Sequence, residues 1–163
     1  MTLTNIRFGQ TCLVLESLAQ FDASKTERLV IEESKSRSIG DPFRQALPPT
    51  TDLRSLTLSK CTSPHIFIQA LQPGVSSSEA VVCSKLEELI VVLRSHGNTF
   101  DIKSIISVAA VRASRGKKLR TIRIVDGWGE LDQKDMLELK KPIFHVEYVP
   151  ESVQWTVNSD AED

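Results

Sequence analysis

One short apolar pattern recurs along this chain at spacings that leave few folds open. In "LRSLTLSKC", Leu53, Leu56 and Leu58 read apolar-x-x-apolar-x-apolar. The pattern returns at Leu86, Leu89 and Val91 and again at Leu119, Ile122 and Ile124, each time 33 residues on. Ile143, Val146 and Tyr148 follow after 24 residues, and Thr26, Leu29 and Ile31 precede the first copy by 27. A weaker copy, Leu3, Ile6 and Phe8, lies 23 residues further upstream. Repetition on this scale marks stacked units, none of which can bury its apolar face alone.

Within each copy the last two apolar residues stand two apart, which puts both on one face of an extended strand. The segments "RLVIEE", "LTL", "LIVVL", "TIRIV" and "HVEYV" are short and rich in β-formers. Between strands the period changes. "DIKSIISVAAVRASRG" sets Ile102, Ile105, Ile106, Ala109 and Ala113 on one helical stripe, with Lys103, Ser107 and Arg112 away from it. Gly116 is a natural left-handed stop for that helix. Shorter helices are expected over 12–21, 65–72 and 132–141, the last capped by Asp132 and ended by Pro142. The expected fold is therefore α/β: a leucine-rich-repeat-like solenoid with parallel strands on the concave face and helices on the convex face. Its units, about six, occupy residues 1–152, and 153–163 form a C-terminal cap and acidic tail, with Trp155 laid over the last unit.

In such a fold the chain leaves the sheet just after each strand, exposing backbone groups close to the core. A small side chain with a polar atom can bond them there, and a buried thiol suits that slot. Cys61 falls in it. The equivalent residues, Ser34, Arg94, Gly127 and Glu151, follow no common chemistry, so the units are irregular.

A chain of 163 residues with 40% apolar and 25% charged residues suits one domain with a substantial core. Its net charge of −1 gives no overall field toward nucleic acid or an anionic membrane. The longest apolar runs, such as "LIVVL" at 89–93, fall far short of the roughly 18 residues that a membrane span requires. "MTLTNIRFGQ" lacks the basic and apolar regions of a secretory signal, and Cys12, Cys61 and Cys83 are odd in number and widely spaced. These features point to an intracellular protein, cytoplasmic or nuclear, with no membrane partner.

Chemistry-bearing motifs are not evident. His65, His96, His145 and the cysteines show no metal-ligand spacing, and no nucleophile–base signature occurs, so no catalytic residue, metal or cofactor is expected. The basic cluster Arg112, Arg115, Lys117, Lys118, Arg120 and Arg123 reads as a helix C-terminus followed by a solvated turn. No aromatic residue interleaves with those charges, so a nucleic-acid partner is not expected. "SRGKK" is not a phosphate loop, because its glycine follows a helix instead of preceding one.

Strand parity names a candidate partner-binding face. If the leucines point inward, Arg28, Val30 and Glu32 point outward, as do Thr57, then Glu88, Ile90 and Val92, then Arg123 and Val125, then His145 and Glu147. An apolar floor framed by mixed charges suits a protein partner. The competing explanation is that parallel strands are apolar on both faces from β-propensity alone. Leu3 starts a strand almost at Met1, which leads to the expectation that either more protein precedes it or its edge meets a partner.

The runs "LRSLTLSKC", "FIQALQP", "CSKLEELIV", "FDIKSIISVAAVRASRGKKLRTIRIV" and "ELDQKDMLELKKPIFHVEY" span roughly residues 50–150. Together they resemble the C-terminal leucine-rich region of fungal F-box-like proteins, with "ASRGKKL" and "HVEY" the most specific parts. The resemblance implies a non-catalytic substrate-recognition region of a ubiquitin-ligase subunit. In that family an N-terminal F-box docks on the adaptor of a cullin-type ligase and the repeats present a surface to protein substrates. This chain shows no F-box: "LPPTTDL" at 47–53 runs into a strand where helices should follow. The adaptor is then a partner only where an F-box lies upstream. The alternative is a truncated or structural repeat protein with no dedicated ligand.

Overall fold

Each copy of the apolar pattern becomes one strand because its alternate residues have somewhere dry to go. The computed structural model describes residues 3–7, 25–32, 43–44, 47, 52–72, 81–93, 102–126 and 132–150. Along the chain these form β1 (Leu3–Arg7), β2 (Arg28–Glu32), β3 (Ser55–Ser59), α1 (Pro64–Ala70), β4 (Glu88–Val92), α2 (Ile102–Ser114), β5 (Thr121–Asp126), α3 (Gln133–Lys140) and β6 (His145–Pro150). The six strands make one sheet whose spatial order is the chain order, and every neighbouring pair is parallel. The molecule is thus α/β, with a parallel sheet.

Register follows the sequence spacing from β2 onward. Leu29, Leu56, Leu89, Ile122 and Val146 form one row across the sheet, and Ile31, Leu58, Val91, Ile124 and Tyr148 the next. The first four residues of each row are at most 1% exposed; Val146 and Tyr148 are half-buried on the outermost strand. β1 departs from expectation. The spacing puts Ile6 beside Leu29, but the sheet pairs Ile6 with Ile31 and Thr4 with Leu29. That slip of two residues preserves side-chain parity, whereas a slip of one would invert it.

A second backbone pattern reinforces the register. The carbonyl just before a strand accepts two N–H groups from the following unit: Glu27 O from Arg54 and Ser55, Arg54 O from Glu87 and Glu88, Glu87 O from Arg120 and Thr121. The leading apolar residues of the pattern, Leu53, Leu86, Leu119 and Ile143, are buried just ahead of the strands.

The helices share one apolar layer with the inner sheet face. Phe67, Ile68, Ile105, Val108, Ala109 and Leu139 join the strand leucines in a single cluster, and Phe43 meets Phe67 edge to face at 5.0 Å. α1 starts at Pro64, whose missing N–H is no loss in a first helical turn. α2 ends as expected: Gly116 has φ +70°, Lys117 N–H donates to Arg112 O at 2.9 Å and Gly116 N–H to Ala113 O at 3.0 Å. Asp132 caps α3 by accepting from Lys134 N–H at 3.2 Å. The helix expected over 12–21 and the cap and tail at 153–163 lie outside the described residues.

Cys61 sits where its slot requires. Its thiol is 1% exposed and lies 3.6 Å from the carbonyl oxygens of Ile31 and Ser59, just after Lys60 turns the chain at φ 54°. Among the described residues no helix is long and apolar enough to cross a membrane.

Leu89→Ala should lower unfolding free energy by about 2–5 kcal/mol, because the cavity opens between two filled rows. Thr57→Ala, on the other face of the neighbouring strand, should cost less than about 1 kcal/mol. Urea denaturation of the two variants checks the contrast.

Candidate partner-binding face

Because alternate residues of β2 to β5 enter the core, the residues left over gather on the opposite sheet face. In register they form three rows: Arg28, Ser55, Glu88, Thr121 and His145; then Val30, Thr57, Ile90, Arg123 and Glu147; then Glu32, Ser59, Val92, Val125 and Val149. Every residue expected on this face is there. Arg28, Arg123 and His145 are exposed, while Val30, Glu32, Thr57, Glu88, Ile90, Val92 and Glu147 are half-buried. Val125 is the exception: at 3% exposure it is a buried floor residue between Val92 and Val149, not a contact point.

Polar side chains on the face hold one another. Arg123 Nε donates to Glu147 Oε2 at 2.7 Å, and Ser55 Oγ donates to Glu88 Oε2 at 2.6 Å. Partly exposed pairs of this kind contribute about 0–1 kcal/mol each, so they shape the surface more than they stabilise the fold. Along the rim where the strands begin, charge alternates from unit to unit as Glu27, Arg54, Glu87, Arg120. Glu87 lies between Arg54 at 3.7 Å and Arg120 at 3.5 Å, and Lys85 pairs with Asp52. Glu27, Arg54, Glu87 and Arg120 line a shallow polar groove of about 370 Å³. Neither the ion pairs nor the groove could be read from the sequence, because each partner comes from a different unit.

Arg112 overturns the reading of the basic cluster. Expected on the solvated side of α2, it is 0% exposed. Its guanidinium donates to Val82 O at 2.8 Å, Cys83 O at 2.9 Å and Leu86 O at 3.3 Å, tying the turn ahead of β4 to α2. Its Nε has no hydrogen-bond partner among the described residues. Burial lowers its pKa, and the nearby Cys83 opposes that shift. Arginine still remains cationic at neutral pH, so three carbonyl dipoles carry the compensation that water would otherwise give. Helical arithmetic contained the signal: 105, 108, 109 and 112 share one stripe, and only the charge of Arg112 argued against it.

Among the described residues no group of three or more His, Cys, Asp or Glu side chains is placed to hold a metal ion. His65 and His145 sit on different elements, in α1 and β6. No protein family, curated protein or solved structure matches the chain.

Arg112→Leu should destabilise the fold by about 3 kcal/mol or more, since it removes the guanidinium that three carbonyls share and leaves those of Val82 and Leu86 without that donor. Arg112→Lys should recover less than half of that loss, because a single ammonium cannot reproduce the planar fork. Thermal melts followed by circular dichroism measure both.

Proposed function

We propose that this chain is a leucine-rich-repeat-like solenoid acting inside the cell as a non-catalytic protein-interaction domain. Its outer sheet face holds the partner. By its resemblance to F-box-like proteins, it is the substrate-recognition repeat region of a ubiquitin-ligase subunit. Sequential parallel strands, repeat spacings that equal the strand register from β2 to β6, and the Cys61 slot support the repeat reading.

One observation carries the partner reading: the middle row of the outer face. Val30, Thr57 and Ile90 present a small half-exposed apolar stretch that passes directly into the Arg123–Glu147 pair. An apolar stretch bordered by a fixed, directional ion pair supplies both adhesion and orientation to a protein partner.

The double variant Arg123→Glu/Glu147→Arg tests it, because swapping the charges preserves the internal pair while inverting what a partner meets. A partner captured quantitatively from cell extract by the wild-type chain should fall at least about tenfold with this variant, as lost or opposed charge pairs do at interfaces. Capture should be unchanged by Lys134→Glu on the helix side. Equal recovery by all three chains removes the outer face as the binding surface.

A further inference from the structure

The described cations are unevenly placed. Lys117, Lys118, Arg120, Lys140 and Lys141 collect where α2 ends, β5 starts and α3 ends, in a chain whose net charge is −1. Their closeness is set by the fold. Lys117 N–H closes α2 on Arg112 O, and Lys141 lines a mostly apolar groove of about 410 Å³ together with Ala113, near the end of α2, and Glu138, the one acidic residue in that lining. His145 N–H donates to Arg120 O at 2.8 Å, which brings the start of β6 alongside. Two helix C-termini point this way, but each carries only about half a negative charge. Arg120 shares Glu87 with Arg54, while among the described residues Lys117, Lys118, Lys140 and Lys141 take part in no ion pair.

Within this cluster stands Phe144, 74% exposed, with Lys118 Nζ 4.2 Å from its ring centroid. The ammonium covers one side of the ring and leaves much of the rest to solvent. No aromatic residue lies within the basic stretch 112–123 of the sequence; the fold supplies one from the start of β6.

The geometry points to a binding strip for single-stranded nucleic acid at this rim. The lysines and Arg120 meet successive phosphates, and the open part of the Phe144 ring takes an unpaired base. Single strands are favoured because a duplex keeps its base faces closed, whereas an exposed ring among cations suits bases that are free to stack. An acidic peptide would use the lysines but leave the ring without a role. This strip adjoins the strand-start end of the outer sheet face, where Arg120 also lines the polar groove with Arg28 and Glu88.

The test is fluorescence anisotropy of a labelled oligouridine, about 12 nucleotides long, titrated with the full chain. Binding at about 50 mM NaCl should weaken by about 50- to 130-fold at about 200 mM, as expected when four to five phosphates are neutralised on a single strand. Lys140→Glu/Lys141→Glu should lower affinity at least about tenfold and flatten the salt dependence. Phe144→Leu should lower it by about five- to tenfold while leaving the salt slope in place, since it removes stacking and not charge. Lys25→Glu/Lys134→Glu, reversing two cations elsewhere, should change affinity less than about twofold at the same salt. Melting curves of each variant establish that it is folded. The strip is refuted by any of three results: no anisotropy change up to about 100 μM protein at low salt, weaker than non-specific binding usually is; equal affinity for wild type and Phe144→Leu; or competition by polyglutamate as strong as by unlabelled oligouridine, which would make the rim a surface for acidic proteins.

Discussion

Strand register is the constraint on which the rest of this structure depends. Four of the five parallel pairings, from β2 to β6, place equivalent residues side by side, and two independent devices hold them there. Inside, the leucine rows fill one dry layer; at the strand starts, single carbonyls accept two N–H groups from the next unit. A slip of one residue between any two strands would turn every leucine outward. Everything on the outer face, including the Arg123–Glu147 pair and the alternating rim charges, inherits its geometry from that alignment.

Most of this architecture was legible in the sequence because burial and period reinforce each other. The 33-residue spacings equal the β3–β4 and β4–β5 registers, the spacings of 27 and 24 equal their neighbours, and Gly116, Asp132 and Cys61 all do what their positions suggest. The weak copy at Leu3, Ile6 and Phe8 located a strand but not its register, since a two-residue shift leaves parity unchanged. The outer face followed from parity alone. Which of its members stay accessible did not: Val125 has the same residue type and parity as Val92 and Val149, and only its place between them buries it.

Arg112 and Phe144 depart from what local pattern suggests in opposite directions. A charged residue at an apolar stripe position was assigned to solvent, although a guanidinium can be buried where carbonyls converge on it. Phe144, an apolar residue beside a strand to which the sequence assigns no role, stands out in solvent with a lysine over its ring. In both cases the deciding neighbours come from other units, 26 to 30 residues away in the chain, and local pattern carries no record of them.

The reach of Arg112 has a consequence for how the chain is made. The turn at Val82–Leu86 that introduces β4 is held by a side chain 26 to 30 residues downstream. While the protein is being synthesised, that turn leaves the ribosome before its clamp exists. The turn therefore gains its guanidinium clamp only once α2 has followed it out, after the residues of β3 and β4 that pair with one another have both emerged.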